Sequence, residues 1–356
     1  MKGFIVLIAI TLTSCAYKEE DKQAPFSSKK ILFQVPKNFP SPVYDFSRNP
    51  ITQEGFELGR ALFYDGILSR DGTVSCSFCH IQTSAFTQHG HAVSHGIDDL
   101  PTRRNSQPIM NLAWVRFFFW DGGVFDLDLF PPHPIQAPNE MGETMSNVLE
   151  KLRKHPHYPK MFKAAFGTEE ITTDRFLKAL SQFQLMCISA NSRYDKFVRN
   201  EGGILTSDEL KGLSLFREKC SVCHAGELFT DGTFRNNGLP VYSNDLGRAE
   251  ITLNPDDRYK FKVPSLRNVV YTAPYMHDGR FKTLDAVLEH YRKGVVDSAT
   301  TDPILKQNGI LGIPMSDEEK RQIIAFLQTL TDTSFITRFE LSEFAIKTPT
   351  NNVKIR

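Results

Sequence analysis

Two pentapeptides constrain this chain more than anything else in it: Cys76-Ser77-Phe78-Cys79-His80 and Cys220-Ser221-Val222-Cys223-His224. C-x-x-C-H is the spacing of c-type haem attachment, in which two thiols reach the porphyrin vinyl groups and the histidine ligates iron. With this composition one such run is expected by chance about 0.003 times in the chain, so a pair is not coincidence. Zinc is the rival chemistry, but it would need further ligands at short range, and beyond the N-terminal leader Cys187 is the only other cysteine. The spacing predicts two covalently bound haem c groups, one on Cys76, Cys79 and His80, the other on Cys220, Cys223 and His224.

Haem attachment of this kind takes place outside the bacterial cytoplasm, and the N-terminus agrees with export. Lys2 precedes an apolar run from Phe4 to Ile10. A bilayer crossing takes about 20 residues, so this run reads as the apolar core of a signal segment. It ends in Leu12-Thr13-Ser14-Cys15, which resembles a bacterial lipobox and makes Cys15 the lipidated residue of the mature chain. Residues 1–15 are therefore expected to be a lipoprotein signal peptide and residues 16–40 a flexible tether. The location implied is the periplasmic side of the cell envelope, with a lipid anchor in a membrane. Within the tether, Lys18-Glu19-Glu20-Asp21 also resembles the acidic surface-export signal of some lipoproteins. Lys plus Arg number 42 against 41 Asp plus Glu, a balance that gives no electrostatic case for a nucleic-acid partner.

The rest of the chain reads as two related halves. Gly59-Arg60-Ala61-Leu62-Phe63 precedes the first haem motif and Gly212-Leu213-Ser214-Leu215-Phe216 the second, while Phe86-Thr87 and Phe229-Thr230 follow them. Asn111, Trp120-Asp121-Gly122 and Leu127 match Asn268, His277-Asp278-Gly279 and Leu284 at a constant offset of 157 residues. Capping boxes at Thr206–Glu209 and Ser316–Glu319 open apolar-periodic runs, and Thr173 to about Ala190 has helical spacing. No sustained period-2 alternation appears. The expectation is a mainly α fold of two cytochrome c-like haem domains related by internal duplication, with long loops. The N-terminal haem domain would span 41–200, the C-terminal one 201–335, and residues 336–356 would form a tail.

These motifs, together with Leu68–Gly72, Arg104-Asn105-Ser106, Phe119–Gly122, Asn139–Gly142, Val263–Asn268 and Ala273–Gly279, resemble the bacterial dihaem cytochrome c peroxidases and their MauG relatives over roughly residues 45–330. The resemblance implies that the haem on His80 reacts with hydrogen peroxide and the haem on His224 accepts electrons. It also implies that Trp120 relays electrons between the haems, and that Glu140 is the acid-base of the peroxide pocket. Asn105, Thr272 and Pro274 match the family's calcium ligands. One departure stands out, because Phe130 occupies a position where many relatives carry glutamine.

The sixth iron ligands decide the subtype. Fourteen residues after His277, where many peroxidases place methionine, this chain has Tyr291, as MauG relatives do; Met276 is the fallback ligand. For the first haem His89, His91 and His95 are near in sequence, and His95-Gly96 resembles the labile histidine cap of some peroxidases. The leading expectation is a peroxidase reducing hydrogen peroxide with electrons from a small cytochrome c or copper protein, with homodimerisation as in many family members. The alternatives are a MauG-like enzyme oxidising side chains of a partner protein, and a non-enzymatic dihaem electron carrier.

Overall fold

The computed structural model describes residues 27–88 and 90–345. The leader with Cys15, the first part of the tether, His89 and the end of the tail lie outside the described residues. The fold is mainly helical; among the described residues the only sheet pairs Phe234–Arg235 with Phe261–Lys262, antiparallel, with Phe234 opposite Lys262.

Four helices carry the two cores: α1 (Gln53–Tyr64), α2 (Thr173–Leu185), α3 (Ser207–Lys219) and α4 (Asp317–Gln328). Each begins where a threonine or serine hydroxyl accepts a hydrogen bond from a first-turn N–H, and α3 and α4 close the full reciprocal box with Glu209 and Glu319. Helix α1 packs on α2, and α3 on α4. Both pairs cross at a glycine. A Cβ added at Gly59 would meet Ala179 O at 1.9 Å, and one added at Gly212 would meet Gln322 O at 1.9 Å. Only a residue without a side chain lets the backbones approach so closely.

Beside each crossing a triad of phenylalanines fills the core. Phe63, Phe86 and Phe183 have ring centroids 4.9–6.2 Å apart, and Phe216, Phe229 and Phe326 repeat the arrangement at 5.1–6.1 Å. Backbone geometry also recurs at the 157-residue offset. Asn111 and Asn268, Phe119 and Met276, and Gly122 and Gly279 all have positive φ. The bridges Phe118–Val124 and Tyr275–Phe281 fall at equivalent places.

Several segments differ from the sequence expectation. Helix α2 ends at Leu185 rather than near Ala190, because Cys187 O accepts from Asn111 N at 2.9 Å and Ser189 exchanges two bonds with the Asn111 side chain. The segment that carries Tyr291 is α-helical over Leu284–Glu289 and then widens to a π turn over His290–Gly294. Part of the expected tether is packed: Ile31 N donates to Ile51 O, Phe33 and Phe39 lie against Trp114, and Asn38 donates to Asp195. Part of the expected tail is packed as well. After Asp332 the chain returns to the first half, where Phe335, Ile336 and Leu341 join the core of α1 and α2.

Substituting Gly212→Ala should force α3 and α4 apart and destabilise the protein by about 1–3 kcal/mol, the usual cost of overpacking. A lower urea midpoint with an unchanged slope is the expected reading.

Candidate haem sites and the segment between them

At the first motif one helical turn, Cys76–Cys79, carries both thiols, and His80 caps it with its N–H on Cys76 O at 3.0 Å. The His80 ring is held through Nδ1, which lies 2.8 Å from Phe86 O. Phe86 aims this carbonyl by adopting φ 58°. At the second motif His224 Nδ1 lies 3.1 Å from Phe229 O and 3.2 Å from Pro264 O, with Phe229 at φ 53°. Fixing Nδ1 as the donor leaves Nε2 as the free lone pair, the state a metal-ligating imidazole requires. Burial lowers the pKa of both histidines and so favours the neutral ring. None of the four motif cysteines forms a disulfide among the described residues. These residues fit covalent haem at both positions.

Glu140 is brought to the first site by close backbone packing. A Cβ on Gly96 would lie 2.4 Å from both Asn139 O and Glu140 O, and Ile97 N donates to Glu140 O at 2.7 Å. The preceding residue touches the haem motif, with His95 O 3.8 Å from Cys79 Sγ. Burial raises the Glu140 carboxyl above its ordinary range. The His95 ring faces Asp99, with Nδ1 2.8 Å from Oδ1, and packs edge-on to His91. Phe130 lies on Phe119 with centroids 4.6 Å apart, and His133 meets Phe119 edge-on.

At the second site Tyr291 and Met276 converge on one amide. Asn237 Nδ2 is 3.4 Å from Met276 Sδ, and the same side chain lies near enough to the Tyr291 phenol to lower its pKa. Burial pushes that phenol up to about 12, Asn237 pulls it down, and Cys223 and Cys220 lie close enough to act on it. The π turn carries this ring, and Ile313 N ties its backbone by donating to Tyr291 O at 2.7 Å.

Trp120 lies between two equivalent segments. Its indole Nε1 donates to Asn105 O at 2.8 Å, and its own carbonyl accepts from Lys262 N at 2.7 Å. Asn105 N donates to His277 O at 2.7 Å, and its Nδ2 reaches Pro274 O at 2.6 Å and Met276 O at 3.3 Å. Asn105 Oδ1 is buried without a hydrogen-bond partner. Arg104 grips Asp245 with two bonds of 2.7 Å and also pairs with Asp121, so the two halves are tied beside Trp120. Sequence reasoning passed over Asn237, Lys262 and Arg104. Arg104 stood within a quoted motif, but Asn237 lies in an Asn-Asn-Gly loop and Lys262 in a two-residue strand, neither of which carries a pattern.

The arrangement defines a two-site c-type haem protein with an aromatic segment between the sites. A family model described as di-haem cytochrome c peroxidase matches residues 53–203. The methylamine utilization protein MauG of Methylorubrum extorquens is 36% identical over 333 residues, covering 90% of this chain and 91% of its own. Cytochrome c551 peroxidase of Nitrosomonas europaea is 34% identical over 285 residues, covering 77% and 79%. The crystal structure of a MauG-like protein associated with microbial copper homeostasis superposes with a TM-score of 0.80 at 34% identity, covering 88% of this chain and 99% of that one. The chain belongs to the di-haem cytochrome c peroxidase family and is an oxidoreductase carrying two haem c groups.

Replacing Cys220 and Cys223 together by serine should leave one covalent haem per chain. Haem stain on a denaturing gel should fall to about half that of the parent, with the remainder lost only when Cys76 and Cys79 are also replaced.

Proposed function

We propose that this chain is a lipid-anchored peroxidase on the periplasmic side of the cell envelope, reducing hydrogen peroxide to water with electrons from a small cytochrome c or copper protein. The observation that carries this reading is a half-buried carboxyl, Glu140, packed through Gly96 and His95 against the first haem motif. When bound, the haems supply the iron that meets peroxide on the His80 side and the electron store on the His224 side. Glu140, held in an apolar setting, takes the proton from one peroxide oxygen and returns it to the leaving oxygen. Two electrons and two further protons complete the reduction to two waters, with the electrons passing by way of Trp120. Asn105 fits a calcium ligand beside this path, because its buried Oδ1 lacks a partner while its amide faces the carbonyl of Pro274. Thr272 would complete that set. The paired glycine crossings, phenylalanine triads and positive-φ positions support an origin of the two halves by duplication.

A MauG-like action on side chains of a partner protein is the second reading. Tyr291 favours it, since the phenol lies near Asn237 and the cysteines of the second motif, and an oxygen ligand stabilises oxidised iron better than a thioether does.

In haem-loaded protein, Glu140→Gln should slow the reaction with hydrogen peroxide by about 100-fold or more. The working base is the carboxylate, lost as pH falls through a pKa raised by burial. The parent rate should therefore drop on the acid side, beginning above the ordinary glutamate value, and the glutamine variant should lack this limb. Absence of any peroxide-dependent oxidation of reduced cytochrome c, after full reduction of the enzyme, would overturn the peroxidase reading.

Tyr291→Phe separates the two readings. Ligation by tyrosine predicts a changed spin state at the second haem, whereas an unchanged low-spin spectrum with a sulfur-to-iron band in the parent assigns the ligand to Met276.

A further inference from the structure

Lys262 is a half-buried cation that the mechanism above leaves without a task. Its two ends lie on one short run of chain. The backbone N–H donates to Trp120 O at 2.7 Å, and the ammonium Nζ donates to Phe117 O at 2.7 Å. The lysine thus spans the run Phe117–Trp120. Among the described residues no carboxylate forms an ion pair with it. Asp121, the acid that faces it, is engaged by Arg104. Arg248, the other charge on this face, lies 4.2 Å from the ring of Phe234, which pairs with Lys262 across the sheet, and 5.5 Å from the ring of Phe117.

The same strand leads to the second haem. Two residues beyond Lys262, Pro264 O lies 3.2 Å from His224 Nδ1, while Thr230 Oγ1 donates to Val263 O at 2.6 Å. The first half repeats this pattern. Asn105 O accepts the indole N–H of Trp120, Ser106 O accepts from Thr87 Oγ1, and Gln107 O faces the His80 ring. Trp120 is thus clamped between the segments that hold the two proximal histidines.

Resting on the relay reading of Trp120, we infer that Lys262 is a positioning residue that governs how readily the Trp120 indole is oxidised, through the fixed positive charge its ammonium places along the Phe117–Trp120 run. In the relay the indole gives one electron to the His80 site and takes one from the His224 site, while its proton stays on the bond to Asn105 O. Positive charge appearing on the ring is opposed by the lysine charge in a setting of low polarity. The indole therefore passes charge without retaining it. Burial pulls the Lys262 pKa down to about 8, so the ammonium is intact at pH 6.

Haem-loaded parent, Lys262→Gln, Lys262→Arg and Trp120→Phe proteins are treated with one equivalent of hydrogen peroxide, freeze-quenched at pH 6, and read by electron paramagnetic resonance for an indole radical. Glutamine keeps a donor for Phe117 O but drops the charge, so its radical signal should exceed the parent's by about tenfold. Arginine should restore the parent level. Raising the parent from pH 6 to pH 9 strips the same charge without a substitution and should raise the signal too, whereas the arginine variant should stay flat. A Trp120-dependent signal that neither Lys262→Gln nor the pH step alters overturns the role of Lys262 alone. A signal that survives Trp120→Phe overturns the relay, and this inference with it.

Discussion

Everything around the second haem site hangs on a guanidinium that water never touches. Arg267 and Asp195 are both fully buried and joined by bonds of 2.9 and 2.8 Å. Arg267 also donates to Glu227 O at 2.8 Å and lies over the rings of Phe39 and Phe229. Burial alone would raise the Asp195 carboxyl; Arg267, Ser192 and Asn38 together hold it below its usual range instead. Taking either partner from such a pair strands a charge, at a cost of about 3–5 kcal/mol. Through this pair the loop after His224, the short helix Arg193–Val198 and the N-terminal segment at Phe39 share one fixed point. The Phe229 carbonyl that orients His224 belongs to a ring this arginine covers.

The histidine orientation has its own constraint. A carbonyl must face Nδ1 from within a tight loop, which puts a bulky residue, Phe86 or Phe229, in the left-handed region where L side chains are strained. Each ring is then locked by two further phenylalanines from the helix pair. The helix crossing, with its obligatory glycine, and the imidazole orientation are thus parts of one unit. This explains why the same residues recur in both halves in the same order.

How much of this the sequence made legible follows from what kind of contact each feature needs. The haem motifs and the capping boxes at Thr206 and Ser316 depend on neighbours within a few residues, and they stood out; the glycines before each motif showed as a repeat, but the crossings that require them, against Ala179 and Gln322, did not. Glu140 and Trp120 were reachable only through resemblance, since a lone carboxylate or indole carries no local pattern. The early end of α2 was hidden because the side chain that captures residues 187–189 is Asn111, far away in sequence. Lys262 and Asn237 escaped for a related reason. Their importance lies in what they touch across the fold, and a two-residue strand or a polar loop gives no periodicity to read.

The return of the chain after Asp332 has a bearing on how the protein matures. Phe335 seals the aromatic cluster against Phe86, and Ile336 and Leu341 close the rest of the first core. Synthesis runs from the N-terminus, so the half that is made first is finished by residues that emerge nearly last. Until they arrive, the loop that carries Cys76, Cys79 and His80 borders an unfilled core. The core beside the first haem motif is thus complete only once the C-terminal segment has packed into it.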